Sequence, residues 1–253
     1  MGRCQSIEDF SIVGEFDVTQ IYCSKDADDA AVELAEKALK CEELEKEFFK
    51  DASCLIGFVN IESLRAHQIH LRRDQEFLQC DIFALAETWL YPGEEIKIPS
   101  NASHFLSNGR GKGLASFTKG HSNMMETIQK DDYSMMKMQL GNKFFIFVYI
   151  SKTANSSEYI HDIDALLKNT SNSPTALIGD VNWHFSQQSH PMKKYMQDNN
   201  FEQLIEEPTH IGGNIIDHVY VNSQMKDMNV LQIYQKPVPY SDHYALYVKI
   251  KSI

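Results

Sequence analysis

No run of about eighteen apolar residues occurs in the 253-residue chain, so the sequence predicts no membrane-spanning helix. The first twenty residues lack the apolar core of a secretory signal. Cysteine is sparse: five residues (Cys4, Cys23, Cys41, Cys54, Cys80), odd in number and without a Cys-x-x-Cys pair. That argues against a disulfide framework and a cysteine zinc site, and for a reducing intracellular compartment, nucleus or cytoplasm. Long basic runs are also missing, and the net charge is -11. The deficit is uneven. Residues 1–51 hold 14 Asp+Glu against 6 Lys+Arg, whereas residues 52–253 hold 21 against 18. The body is therefore nearly neutral, and a site of several carboxylates around a divalent cation would account for its remaining acidity. The composition, 43% hydrophobic and 23% charged, is that of a folded protein and excludes wholesale disorder.

The chain divides into an acidic leader, 1–51, and a body, 52–253. Leu34, Ala38, Cys41, Leu44 and Phe48 recur at helical spacing, predicting a leader helix over about Ala27–Lys50 that packs on the body or binds a protein partner. Met1-Gly-Arg-Cys-Gln-Ser6 also fits an N-myristoylation pattern, but acidic residues follow it instead of basic ones. In the body, Cys54–Ile61, Asp81–Ala86, Leu114–Phe117, Phe144–Ile150, Thr175–Ile178, Ile215–Val221 and Tyr244–Ile250 read as strands. Helices are expected at Ser63–Leu78, Ser157–Asn169 and Met192–Leu204. Strands and helices without strict alternation predict a layered α/β or α+β architecture.

Residues suited to catalysis cluster at the ends of these apolar runs. Asn60 and Glu62 follow the first, Glu87 the second, and Tyr149 nearly closes the fourth. Asp180 and Asn182 follow the fifth, Asp217 interrupts the sixth, and Asp242-His243 precedes the last. Residues two apart on a strand face the same side, so Asn60 with Glu62 and Asp180 with Asn182 can each serve one site. One Asp or Asn at a strand end is usually a turn former. Five ordered blocks are more informative: Asn60-Ile-Glu-Ser-Leu-Arg-Ala66, Leu85-Ala-Glu-Thr-Trp89, Ile178-Gly-Asp-Val-Asn-Trp183, Ile216-Asp-His-Val219 and Ser241-Asp-His243. Together they resemble the DNase I-like endonuclease/exonuclease/phosphatase superfamily over about residues 54–250. The first block is similar to apurinic-site endonucleases. Pro208-Thr-His and Ile-Asp-His-Val-Tyr220 are similar to endonuclease domains of non-LTR retrotransposons and Helitron-type elements.

The resemblance implies a four-layered α/β sandwich, two packed mixed β-sheets flanked by helices, and attack of water on a phosphate ester assisted by Mg2+, with Mn2+ able to substitute. It implies Glu87, Glu62 and Asp242 as metal ligands and Asp180 as the base for water. Asp217 would hold His243 against the phosphate, and Tyr149 would donate to a phosphate oxygen or the leaving group. Asn60 and Asn182 would hold either the phosphate or the catalytic aspartate. Residue chemistry agrees, since such cleavage needs a hard cation, a base and donors for the non-bridging oxygens. Arg65, Lys152, Arg110 and Lys112 are candidate contacts to a nucleic-acid backbone. For Arg65 the alternative is a solvated helix face, and for Gly109–Gly113 a flexible turn. His67 and His70 lack a third ligand and are read as non-metal, His210 and His218 as structural or rim residues. The sequence departs from the pattern in Glu62, where a shorter residue is commoner, and in Ile-Ser-Lys152 after Tyr149, where apurinic-site enzymes carry Pro-Asn. The leading expectation is a monomeric DNA endonuclease leaving 3'-hydroxyl and 5'-phosphate ends. Alternatives are an RNA nuclease, a tyrosyl-DNA phosphodiesterase-like enzyme, an inositol or lipid phosphatase, or a non-catalytic binding module.

Overall fold

A computed structural model describes Lys40, Glu43, residues 45–50 and residues 54–252 except 121, 169, 171 and 188. The acylation pattern and most of the expected leader helix lie outside these residues; Lys40, Glu43 and residues 45–49 are helical. Two six-stranded sheets make up the body. The first runs β11 (Asn229–Pro237), β12 (Tyr244–Ser252), β1 (Leu55–Asn60), β2 (Ile82–Ala86), β4 (Leu114–Thr118), β3 (Ala102–Leu106). The second runs β5 (Ser122–Gln129), β6 (Tyr133–Leu140), β7 (Lys143–Ile150), β8 (Thr175–Asp180), β10 (Asp217–Asn222), β9 (Phe201–Gln203). Each sheet has one parallel pair, β1–β2 and β7–β8, among antiparallel neighbours.

Strands β1, β2, β8 and β10 are buried at every position because both faces of each sheet are covered. The inner faces share one core that includes Phe58, Ala84, Met136, Phe147, Ile178 and Leu246. Outside the first sheet lie α1 (Leu64–Leu71) and α2 (Gln75–Gln79), over Phe83, Phe117 and Tyr247. Outside the second lie α3 (Ser156–Leu167) and α4 (Pro191–Asp198), over Ile146, Leu177 and Tyr220. This is the expected four-layered α/β sandwich. The short helix α5 (Ser223–Met228) joins β10 to β11. No helix among the described residues is long and apolar enough to cross a membrane.

Two expected helices are corrected. The segment Ser63–Leu78 is two helices, because the Asp74 carboxylate accepts from Phe77 N (2.8 Å) and starts a second one. The helix beginning near Met192 stops at Asp198, and Phe201–Gln203 forms β9 instead of its last turn. Close approach governs the centre of the second sheet. A Cβ at Gly179 would lie 2.0 Å from Val148 O, so only glycine lets β7 and β8 pair at the residue before Asp180.

Candidate active site

The two parallel pairs bring strand ends of like direction to one end of the sandwich, and β10 and β12 begin there because they run antiparallel. Register then aligns the chemistry. Tyr149 pairs across with Asp180, and Asp180 with Asp217, making one row over β7, β8 and β10. Asn60 closes β1 and reaches over the core to this row, its Nδ2 donating to Asp180 Oδ2 at 2.9 Å. His243 enters from the start of β12, with Nδ1 2.8 Å from Asp217 Oδ2.

Asp180 is fully buried and held by three donors: Asn60 Nδ2, Asn182 N at 2.8 Å and Asn182 Nδ2 at 3.0 Å. Both amides therefore hold the aspartate in this structure. Asn182 reaches this position with φ 55°, a left-handed conformation to which its Nδ2 bond to Ile150 O adds a tie. Burial and then the Asp217 carboxylate push Asp180 up to about 8, against the pull of His243, Asn60 and Asn182. For His243 burial acts downward, but Asp217, Asp180 and Asp242 outweigh it and raise the imidazole to about 10. The pair thus sets a carboxyl group whose ionisation is moved up toward neutrality beside an imidazole whose protonated form is favoured. Asp217 is bonded to Nδ1, so Nε2–H is the group left to donate.

Glu62, Glu87 and Asp242 lie on the turns beside this network and are only partly buried. Glu62, Glu87 and Trp89 all have left-handed φ (48°, 49°, 56°). Their turns are interlocked by Ser63 N to Glu87 O (2.9 Å), Leu64 N to Thr88 O (3.0 Å) and Trp89 N to Lys112 O (3.0 Å). Burial together with the Asp242 and Glu87 carboxylates pushes the Glu62 acid up, the signature of unneutralised negative charge. Asp242 Oδ1 is buried without a hydrogen-bond partner, although His243 Nε2 stands 3.7 Å away. A set of hard oxygens with one orphaned buried oxygen fits a hard divalent cation. Among the described residues, the metal-competent groups drawn within 4.8 Å are His210–Asp242–His243 and Asp180–Asp217–His243, not the expected set Glu62, Glu87 and Asp242. Glu62 and Asp242 are nevertheless close enough to perturb each other, and Glu87 Oε2 accepts from Trp89 Nε1 at 3.2 Å.

The expected backbone contacts divide. Arg65 is exposed and paired with Glu94, its Nη2 2.6 Å from both carboxylate oxygens. Arg110 is exposed, with its guanidinium 5.5 Å from the Trp89 ring centroid, and Lys152 is exposed just beyond β7. Lys112 lies 3.9 Å from Asp132. The Gly109–Gly113 loop is anchored: Tyr149 Oη donates to Gly111 O (2.8 Å), and a Cβ at Gly113 would meet Thr88 Oγ1 at 2.5 Å. Tyr149 thus spends its proton on that loop here, while burial and then Glu87 push its phenol far up.

Sequence reasoning undervalued His210, whose Nε2 lies 3.0 Å from Asp242 Oδ2. It gave no role to Thr209 and Ser241. Thr209 Oγ1 accepts from Ile216 N and Asp217 N, and Ser241 Oγ donates to Asn60 O at 2.6 Å. The quoted Pro208-Thr-His and Ser241-Asp-His243 blocks held all three residues. His218 is buried against Trp183 and Phe185, and burial lowers it to about 3, so it is a neutral packing residue.

No family model matches the sequence, and no curated protein matches it. Solved structures do match. An AP endonuclease from Archaeoglobus fulgidus is 15% identical with a TM-score of 0.61, covering 78% of this chain and 99% of that one. The endonuclease domain of TRAS1, a telomere-specific non-LTR retrotransposon, is 12% identical with a TM-score of 0.59, covering 79% and 98%. A 3' phosphatase, NExo from Neisseria, bound to a product DNA hairpin, is 13% identical with a TM-score of 0.60, covering 79% and 100%. At such identities the likeness is one of architecture, and with the strand order above it establishes that this chain has the DNase I-like endonuclease/exonuclease/phosphatase fold.

Proposed function

We propose that the chain is a divalent-cation-dependent phosphodiesterase that nicks DNA, leaving 3'-hydroxyl and 5'-phosphate ends. One observation carries the reading: a buried proton-handling unit (Asp180, Asp217, His243) stands beside a cation-competent carboxylate cluster (Glu62, Glu87, Asp242) at the same end of the sandwich. Asp180, pinned by Asn60 and Asn182, takes a proton from the attacking water. His243, held in orientation by Asp217, donates from Nε2 to a non-bridging phosphate oxygen and opposes the charge that develops there. Glu62, Glu87 and Asp242 would hold Mg2+, which when bound neutralises charge on the phosphoryl and leaving oxygens. DNA is favoured because the proteins of like fold include AP endonucleases and a phosphatase bound to a DNA hairpin. Arg110, Lys112 and Lys152 lie on the rim where a backbone would pass.

The test is the purified full chain with Mg2+ against supercoiled DNA, an abasic duplex, RNA and inositol phosphates in parallel. Nicked circles are expected, abolished by EDTA and restored by Mg2+ or Mn2+. Undiminished cleavage after exhaustive chelation overturns the cation dependence. Turnover of RNA or inositol phosphates alone moves the substrate, and no turnover of any overturns the enzyme reading.

A further inference from the structure

We propose that His210 is a positioning residue: a neutral imidazole carrying its proton on Nε2, it donates to Asp242 Oδ2 and thereby commits Asp242 Oδ1 to the cation. This rests on the reading of Asp242 as a cation ligand.

The assignment follows from hydrogen bonds. The backbone N–H of Gly212 approaches His210 Nδ1 at 2.9 Å. An amide N–H can only donate, so Nδ1 holds the lone pair and the ring proton sits on Nε2. That Nε2 lies 3.0 Å from Asp242 Oδ2. The other oxygen, Oδ1, is buried and has no hydrogen-bond partner. A carboxylate turns easily about its last torsion. A donor fixed on one oxygen removes that freedom and leaves the other oxygen for a cation.

The ring itself is held. Residues His210 and His243 form an isolated antiparallel bridge, flanked by Tyr244 N to Thr209 O (2.7 Å) and Ile211 N to Asp242 O (2.9 Å). The His210 ring also stands edge-on to His243, with centroids 5.0 Å apart and planes at 85°. The same tautomer answers the competing reading. His210, Asp242 and His243 place ligand atoms within 4.8 Å of one another, as in a site for a nitrogen-preferring metal. An Nε2 that carries a proton cannot ligate, and moving that proton to Nδ1 would set it against the Gly212 N–H.

Three measurements on the full chain without DNA test this. Heteronuclear NMR should report the Nε2–H tautomer for His210; the Nδ1–H tautomer overturns the proposal. Mn2+ titration, read by the EPR signal of the free aquo ion, should show affinity about 10-fold or more weaker in His210→Ala, as for removal of an outer partner of a ligand. His210→Gln, whose amide N–H can reach the same oxygen, should stay within about 3-fold of the parent, since outer-partner effects scale with the lost donor. Circular dichroism establishes that each variant is folded. Equal Mn2+ affinity in parent and His210→Ala overturns the positioning role, as does His210→Gln falling as far as His210→Ala. No Mn2+ binding by the parent chain overturns the cation reading of Asp242 and this inference with it.

Discussion

The two sheets contribute to one site in opposite ways. The second supplies Tyr149, Asp180 and Asp217 from strand positions locked in register and withdrawn from water. The first supplies Asn60 and His243 to that buried row, but Glu62, Glu87 and Asp242 sit on turns beyond its strands and stay partly open. The difference separates two chemical needs. Proton transfer gains from burial, which moves Asp180 up to about 8 and sharpens its geometry. In the proposed function a cation and a charged substrate arrive from water, which suits ligands on accessible turns such as those of Glu62 and Glu87, where the backbone is left-handed, while β8 is buried throughout.

The largest expected effect is on the buried side. Asp180→Asn should lower kcat about 10^3-fold or more, because the amide cannot take the proton, and raising Mg2+ should not restore it. Recovery by metal would erase the distinction between the two sides. Glu87→Gln on the open side should cost about 100-fold at a fixed Mg2+ concentration, with partial recovery as Mg2+ is raised, since it loses a ligand. Equal loss at every Mg2+ concentration would place Glu87 outside the cation shell.

The pH profile sharpens the same division. In the proposed mechanism Asp180 works ionised, so kcat/KM should rise with pH through about 8. His243 there works protonated, so it should fall again through about 10. In Asp217→Asn the falling limb should move to lower pH, because the carboxylate chiefly responsible for raising His243 is gone. A falling limb that stays in place would separate Asp217 from His243.

The smallest effects concern a device both halves share. On the first sheet the buried Lys249 Nζ caps the leader helix, donating to Phe48 O (2.5 Å) and Lys50 O (2.7 Å). On the second the buried Lys137 Nζ donates to Leu166 O (2.7 Å) at the end of α3. Lys249→Met should lower stability by about 1–3 kcal/mol, because helix-end carbonyls lose a buried donor. Lys137→Met, which frees one such carbonyl, should cost less. Denaturant melts decide both, with kcat per folded molecule unchanged.

Apolar runs revealed the strands that both sheets enclose. β1, β2, β4, β7, β8, β10 and β12 are all interior strands with apolar side chains on both faces. The four edge strands, β3, β5, β9 and β11, were not legible, because an edge needs no continuous apolar run. β5, Ser122–Gln129, is exposed over most of its length, and it pairs only because β6 offers a free ladder. The interior strand β6 was also missed. Its Tyr-Ser-Met-Met-Lys-Met sequence includes Lys137, a residue that reads as exposed until α3 supplies a carbonyl for its ammonium.

The site shows the same boundary. Residue type and order along the chain determined which acids, amides and histidines are candidates for chemistry, because strand ends and ordered blocks are local features of sequence. Tertiary structure alone decided what each one touches. Asn60 reaches Asp180 across 120 residues, Asp217 reaches His243 across 26, and Arg65 pairs with Glu94 across 29. It also decided that His210 belongs to the site, since nothing local distinguishes a rim histidine from one whose ring meets Asp242. Hydrogen bonds act over about 3 Å, and only the packing of two sheets brings residues so distant in sequence within that range.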